Sequence, residues 1–273
     1  MKRLHVRHVL CPVDFSSLAT RSLKTAIAMA RARKAELRAL HVTPSEATAV
    51  SAGLGTLERQ TLMSRLRTSL TEAAPSYDLV GAAVRQGDPA IQILRFARTM
   101  PADLIVMGAP GADRPERPMG PVTSVVVARS QCPVLTVPHH MTSSDDSGLY
   151  RRIVCAVDLA ASSVGVIRQA LSLAWETEGA ADIRVCAARR WWEASRCGET
   201  EVVIATGTAS MEIVRIAEEQ NADLVVIGAP RRWTSTTHAV LNRSLCPVLV
   251  THDARPLRQP PTNRTHNGLH TAV

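Results

Sequence analysis

The stretch "ADLIVMGAP" at residues 102–110 decides the fold, because it returns as "ADLVVIGAP" at residues 222–230. Two other segments recur in the same order, "HVLCPVDFSS" (8–17) as "RIVCAVDLAA" (152–161) and "SQCPVLTV" (130–137) as "SLCPVLVT" (244–251). Three matched segments in one order predict that the chain contains two copies of a single unit.

Each copy alternates short apolar runs with segments of helical spacing. After "HVLCPVD", apolar residues recur at Leu18, Leu23 and Ile27, which predicts a helix capped by Ser16 or Ser17. The first copy gives strands at 8–14, 37–42, 79–84, 103–109 and 133–137, with helices from about 17, 55, 89 and 121. This alternation predicts an α/β fold in which each copy is a parallel five-stranded sheet with helices on both faces.

Composition shifts indicate the domain boundaries. We expect a first domain at 1–140, a Ser- and Asp-rich linker at 141–150 and a second domain at 151–252. The Pro-rich end, 253–273, reads as a disordered tail. The second domain is reduced, because "RRWWEASRCGET" (189–200) is too short for the long helix that the first copy has between its second and third strands.

Charge and hydropathy exclude several classes of protein. The net charge of +8 comes from arginines scattered along the chain rather than from a basic run with aromatic residues, so we expect no nucleic-acid partner. The six cysteines lack the short paired spacing of a metal site. Since no run of eighteen apolar residues occurs, we expect no membrane partner and a cytoplasmic location.

The loop "GAPGADRPERPMGPVTS" (108–124) follows a strand and leads into a helix. A glycine-rich loop of this kind offers free N–H groups and the positive end of the helix dipole to a phosphate. Pro121 interrupts that layout because proline has no N–H to donate. Proline is also an ordinary first residue of a helix, so both interpretations stay open.

The chain resembles the universal stress protein family in its tandem, two-domain form. The resemblance rests on "CPVDFSS" after the first strand, "HV" closing the second, "GDPAIQIL", "ADLIVMGAPG" and "CPVLTVP", in that order. It implies two tandem Rossmann-like domains of the adenine nucleotide alpha hydrolase type and a role in the stress response. It also implies ATP as a ligand, with Mg²⁺ accompanying it.

The resemblance further implies which residues bind the nucleotide. Adenine would lie against Pro12, Val13 and Asp14 and against the backbone of Val42. The remaining residues implied by the family pattern belong to the phosphate loop and its flanks, namely Met107, Gly108, Gly111, Gly120, Val122 and Thr123. Asp14 has an alternative, as a polar strand-end residue tied to the next helical turn.

The phosphate loop departs from the family pattern of Gly, two residues, Gly, nine residues, Gly and a hydroxyl residue. Here eight residues separate Gly111 from Gly120, and Pro121 stands at the hydroxyl position. Thr123 matches a second hydroxyl of the pattern, and Arg114 and Arg117 lie within reach of a phosphate, although solvated loop arginines are the plainer interpretation.

The second copy lacks the second and third glycines of the loop. Thr234 stands where Gly120 stands in the first copy, with Ser235 at the position of Pro121. We therefore expect no nucleotide in the second copy.

No catalytic motif is present, which favours a protein that is not an enzyme. The favoured hypothesis is a regulatory, ATP-binding stress-response module. The alternatives are a scaffold that binds no nucleotide and acts through unidentified protein partners, and a slow ATP hydrolase. The resemblance also implies that the last strands of the two copies pair within the chain, while assembly into a homo-oligomer stays open.

Overall fold

The fold is described from a computed structural model of the 273-residue chain. The residues that it describes are 6–44, 55–109, 119–139, 150–157, 166–167, 170, 182–187, 200–204, 207–229 and 234–252. The predicted linker up to residue 149, the predicted tail and residues 188–199, which include Trp191 and Trp192, lie outside these ranges.

Strands and helices alternate along both copies. The first copy contributes β1 (His8–Pro12), β2 (Glu36–Thr43), β3 (Val80–Gln86), β4 (Leu104–Ala109) and β5 (Val134–Pro138). The second contributes β6 (Arg152–Val157), β7 (Asp182–Ala187), β8 (Thr200–Ile204), β9 (Leu224–Ala229) and β10 (Val248–His252). The helices with defined bounds are α1 (Ser17–Arg33), α2 (Thr56–Ala73), α3 (Pro89–Thr99), α4 (Pro121–Arg129), α5 (Ala209–Glu219) and α6 (Ser235–Arg243).

All ten of these strands form one sheet, in the order β3-β2-β1-β4-β5-β10-β9-β6-β7-β8. Pairing is parallel within each copy, as the sequence predicts. At the centre β5 and β10 pair antiparallel, with Leu135 opposite Leu249. The predicted pairing of the two last strands within the chain is therefore confirmed.

Local capping determines where the helices begin. Ser16 is the N-cap of α1, and its Oγ accepts a hydrogen bond of 3.1 Å from the backbone N–H of Ala19. Asp88 caps α3 in the same way through Ile91 N–H, at 2.8 Å, and Pro89 starts that helix. Helix α1 ends at Lys34, which adopts the left-handed conformation typical of a helix terminus.

Helices cover both faces of the sheet, and each face has its own core. Residues of α1 and α2 pack on one face with Leu37, Leu135 and Leu249. Residues of α3, α4, α5 and α6 pack on the other face, with Ile105 and Val248. Both cores contain residues of both copies, so the two halves of the sheet share their apolar interior. No helix among the described residues is long and apolar enough to cross a membrane.

Candidate functional site

The candidate site lies at the carboxyl ends of β1, β2 and β4. Strand β1 pairs with β2 on one side and with β4 on the other. The chain therefore adds β2 and β3 on one side of β1 and later adds β4 and β5 on the other side. Helices that follow neighbouring strands leave on opposite faces at such a point and open a crevice, where parallel sheets bind their ligands. The topology brings the predicted adenine residues and the predicted phosphate residues to this one edge.

The end of β1 is fixed by backbone hydrogen bonds to β2. Val13 N–H donates to the carbonyl of Leu40 at 2.8 Å, and the Val13 carbonyl lies 2.7 Å from Nδ1 of His41. The Val13 side chain is buried, as is that of Val42 on β2, while Pro12 is half-buried. Val13 packs in the core on the α1 side of the sheet and Val42 in the core on the α3 side, so the edge is apolar on both faces.

Asp14 is exposed and closes a tight turn into α1. Its Oδ1 accepts hydrogen bonds from the backbone N–H of Ser16 at 3.0 Å and from Ser16 Oγ at 2.6 Å. This Asx-type turn is the structural role that sequence reasoning kept as the alternative to adenine recognition. The carboxylate therefore has a structural use whether or not a ligand is bound.

Sequence reasoning missed a cluster beside this turn. Phe15 adopts a positive φ of 63°, which is rare for a bulky residue. Its ring lies 4.5 Å from that of His41, and the guanidinium of Arg65 on α2 lies 4.2 Å from its ring centroid. No spacing in the sequence indicates this contact, because Arg65 is distant along the chain.

Gly108, at the end of β4, is required by packing. A Cβ at this position would collide with the Leu18 side chain of α1, and a Cβ on Gly228 of the second copy would lie 2.8 Å from Cγ2 of Val166. The glycine of the Gly-Ala-Pro in both copies is therefore explained first by the close approach of a helix to the strand. The hydroxyl of Thr123 donates to the Gly108 carbonyl at 3.2 Å and joins the first turn of α4 to β4.

Helix α4 begins without a side-chain cap from any described residue. Gly120 is its N-cap, with φ −56° and ψ 151°, a conformation open to any residue. No atom of the described residues lies within 4 Å of the position that a Cβ on Gly120 would occupy. Pro121 is the first helical residue, so the N–H groups of Gly120, Val122 and Thr123 are those that the helix itself leaves without acceptors.

Helix α6 of the second copy begins differently. Thr234 stands where Gly120 stands in α4, and its Oγ1 accepts a hydrogen bond of 3.3 Å from Thr237 N–H. Oγ1 of Thr234 and Oγ1 of Thr237 are also 3.0 Å apart. The Thr234 side chain thus accepts from an N–H group at the start of α6, whereas no described side chain does so at the start of α4.

The remaining predicted residues divide into described and undescribed ones. Met107 is buried on β4, and Val122 is half-buried on α4. The predicted residues outside the described ranges are Gly111, Arg114 and Arg117. Among the described residues, no group of three or more His, Cys, Asp or Glu side chains is placed to hold a metal ion.

Cys11 is the thiol on β1 and is fully buried. Burial raises the pKa of this thiol far above its ordinary value, because the apolar surroundings disfavour the thiolate. Cys11 therefore stays protonated and acts as a small apolar core residue.

Comparison with known proteins assigns the chain to a family. The model of the Universal stress protein family matches residues 5–138 and 193–252, which include strands from both copies. The chain belongs to the universal stress protein family. The match covers the candidate site from β1 to α4, and it resumes in the second copy before β8.

Individual members show how far the similarity extends. The universal stress protein MJ0531 of Methanocaldococcus jannaschii is 29% identical over 144 residues, which are 48% of this chain and 81% of that protein. A universal stress protein of Archaeoglobus fulgidus DSM 4304 shares the fold, with a TM-score of 0.71, 20% identity and coverage of 92% of this chain and 97% of that one. Another, from Archaeoglobus fulgidus and in complex with dAMP, aligns over 49% of this chain and 98% of its own, with 20% identity and a TM-score of 0.37.

Proposed function

We propose that the first copy binds an adenine nucleotide, ATP, at the carboxyl edge of β1, β2 and β4, and that the second copy binds none. The observation that carries this proposal is the contrast between two equivalent helix starts. In the part of the chain that the structure describes, no side chain caps α4 and the space beside Gly120 is open, whereas Thr234 caps α6. Free N–H groups and the positive end of the helix dipole make α4 the end that attracts a phosphate.

The apolar side chains at the same edge of the sheet suit the adenine ring. Val42 on β2 and Met107 on β4 are buried in the core on one face of the sheet, and Val13, directly after β1, is buried in the core on the other face. A flat, apolar ring gains free energy from contact with such a surface, and the backbone near it supplies polar groups for specificity. Adenine at β1 and β2 and phosphates at α4 thus occupy two ends of one crevice.

We propose a regulatory rather than a catalytic role for the bound nucleotide, with Mg²⁺ carried by its phosphates. Three polar side chains at this edge already have structural partners: Asp14 accepts from Ser16, His41 bonds to the Val13 carbonyl, and Thr123 donates to Gly108. Phosphoryl transfer needs a group that is positioned for the attacking water. An edge that binds without such a group suits a protein that senses a nucleotide.

Within this proposal, residues 1–140 form the nucleotide-binding domain and residues 151–252 the degenerate one, and the protein acts in the cytoplasm.

The second candidate function is a scaffold that binds no nucleotide. Pro121 favours it, because the first helical residue of α4 lacks an N–H, and so does the internal bond of the Thr123 hydroxyl. Both features remove donors that a phosphate would use.

The test is direct identification of any nucleotide that copurifies. Freshly purified protein is denatured, and the released small molecules are separated by chromatography and identified by mass spectrometry with their stoichiometry per chain. About one adenine nucleotide per chain supports one working site and one degenerate copy. No nucleotide, together with no calorimetric signal on adding ATP and Mg²⁺, would establish the scaffold instead.

A substitution locates the site. Gly120→Val fills the open space beside α4 without requiring a new backbone conformation, so we expect it to abolish ATP binding while the fold is kept. Thr234→Val, at the equivalent position of the second copy, is the matched control and leaves ATP binding unchanged. If both variants bind ATP as the original protein does, the phosphates do not lie at α4.

A further inference from the structure

A side chain of the second copy holds the segment that enters α4. The backbone N–H of Met119 donates a hydrogen bond of 3.1 Å to Oδ1 of Asn242 in α6, across 123 positions of the chain. Met119 directly precedes Gly120, the uncapped start of α4. This bond therefore links the two copies at the end of the proposed site where the phosphates would bind.

Met119 is held at two further points. Its carbonyl accepts a hydrogen bond of 3.3 Å from Oγ of Ser124, and its side chain is buried in the core that α4 shares with α6. Ser124 holds the carbonyl and the shared core holds the side chain, so Asn242 supplies the remaining contact, to the N–H. The direction in which the chain enters Gly120 depends on all three.

The amide of Asn242 is itself oriented by its own helix. Nδ2 of Asn242 lies 3.2 Å from Nδ1 of His238, one turn earlier in α6. With Nδ2 as the donor to His238, Oδ1 is left as the acceptor that Met119 N–H needs, and the reverse orientation would set an NH₂ group against an N–H. This arrangement requires the His238 tautomer in which Nδ1 carries no proton.

Among the described residues, this contact has no counterpart from the first copy to the second. The two copies pair about β5 and β10, and the position in α4 equivalent to Asn242 is Ala128. Ala128 is exposed and has no polar side-chain atom, so the first copy has no amide to return to the second. The asymmetry matches that of the helix starts, because Met119 beside the open α4 donates the bond and Asn242 in the self-capped α6 accepts it.

We infer that Asn242 is a positioning residue for the nucleotide, by which the degenerate second copy fixes the entry to α4 in the geometry that binds phosphate. This inference rests on the proposed function of the first copy. The bond acts on Met119 and thereby on the adjacent N–H groups of Gly120 and Val122, which would face the phosphates. Asn242 acts through the backbone and needs no contact with the ligand.

The variant Asn242→Ala gives the second copy the residue that the first has at the equivalent position. Without the acceptor, Met119 N–H loses its bond and the entry to α4 gains freedom that a bound phosphate must remove again. We expect ATP affinity to fall about 3- to 10-fold, the effect of one hydrogen bond of ordinary net strength. Adenosine, which has no phosphate, keeps its affinity.

The experiment combines two measurements on the full chain. Calorimetry gives the affinities for ATP with Mg²⁺ and for adenosine, and amide hydrogen exchange of Met119 in the nucleotide-free protein reports the bond itself. His238→Ala, which frees the Asn242 amide to turn, should give a smaller loss in both readouts. Ser235→Ala, an exposed change on the same helix, serves as the control and should alter neither.

The outcomes distinguish the positioning role of Asn242 from nucleotide binding by the first copy. Weaker ATP binding with unchanged adenosine binding and faster Met119 exchange supports the positioning role. Faster exchange with unchanged ATP affinity overturns it, since the bond would then be structural only, while the proposed site stands. Equal losses for ATP and adenosine overturn it as well, because a general loss of structure explains them. If the original protein binds no adenine nucleotide, the proposed function fails first, and that result is visible before any variant is made.

Discussion

Pro121 gives the sharpest prediction about the site. It is the first residue of α4, exposed, and directly after the uncapped Gly120. Pro121→Ala restores a backbone N–H, and Pro121→Ser restores the N–H and adds a hydroxyl. A hydrogen bond to a charged phosphate contributes about 1.5 to 3 kcal/mol. Since this helix start is open to solvent, we take the lower value, which corresponds to roughly tenfold tighter ATP binding for Pro121→Ala.

The hydroxyl of Pro121→Ser adds a second donor, so we expect its ATP affinity to rise above that of Pro121→Ala, to about a hundredfold over the original protein. Both variants lose the restriction that proline places on the unfolded chain, and their free energy of unfolding should fall by about 0.4 to 1 kcal/mol.

Ser235→Pro makes the opposite change in α6 and serves as the control for the second copy. Titration calorimetry with ATP and Mg²⁺ measures the affinities. Equal affinity in the original protein and both variants would refute the argument that Pro121 removes a donor from the phosphate site.

Further predictions concern the scaffold of the site. Gly108→Val should lower the free energy of unfolding by about 1 to 3 kcal/mol, because its side chain would displace Leu18, and a urea titration that shows no loss would contradict the packing role. Leu249→Ala at the junction of the copies should cost about 2 to 5 kcal/mol in the same assay, and a cost near zero would mean that this core does not couple the halves. Burial raises the pKa of the Cys132 and Cys246 thiols from 9.0 to about 11. The stability that this shift contributes to the folded state is fully present below pH 9 and is lost as the pH rises towards 11. Stability measured by urea at pH 8 and pH 10.5 should therefore fall less in Cys246→Ala than in the original protein, and an equal fall would argue against the buried thiol as a cause.

The sequence was a good guide to the fold because its signals are local. The apolar run after His8 and the helical spacing that follows Ser17 correspond to β1 and α1, and Ser16 provides the cap. Bounds differ by one or two residues: the strand predicted at 79–84 lies at Val80–Gln86, since hydrogen bonding to β2 continues beyond the apolar stretch. The pairing of the last strands, β5 and β10, was implied by the family resemblance and is confirmed, and the structure shows that it is antiparallel.

The site was harder to predict because its interactions join distant parts of the chain. Gly108 reads as a phosphate glycine in sequence, yet the collision that it avoids is with Leu18 of a preceding helix. The Arg65 contact with Phe15 and the bond from Met119 to Asn242 have no sequence pattern at all. Such contacts depend on which helices become neighbours, and a single sequence carries that information only through the completed fold.

The junction of β5 and β10 has a consequence for symmetry. Two separate chains that paired through these strands would be identical, so any substitution would enter both subunits, and dilution would separate them. In this chain the partner is attached, and its effective concentration does not change with dilution. One half can then lose its loop while the other half keeps it. The Ala128 and Asn242 positions show that independence, since each half has its own residue at a place where a homodimer would have to use the same one twice.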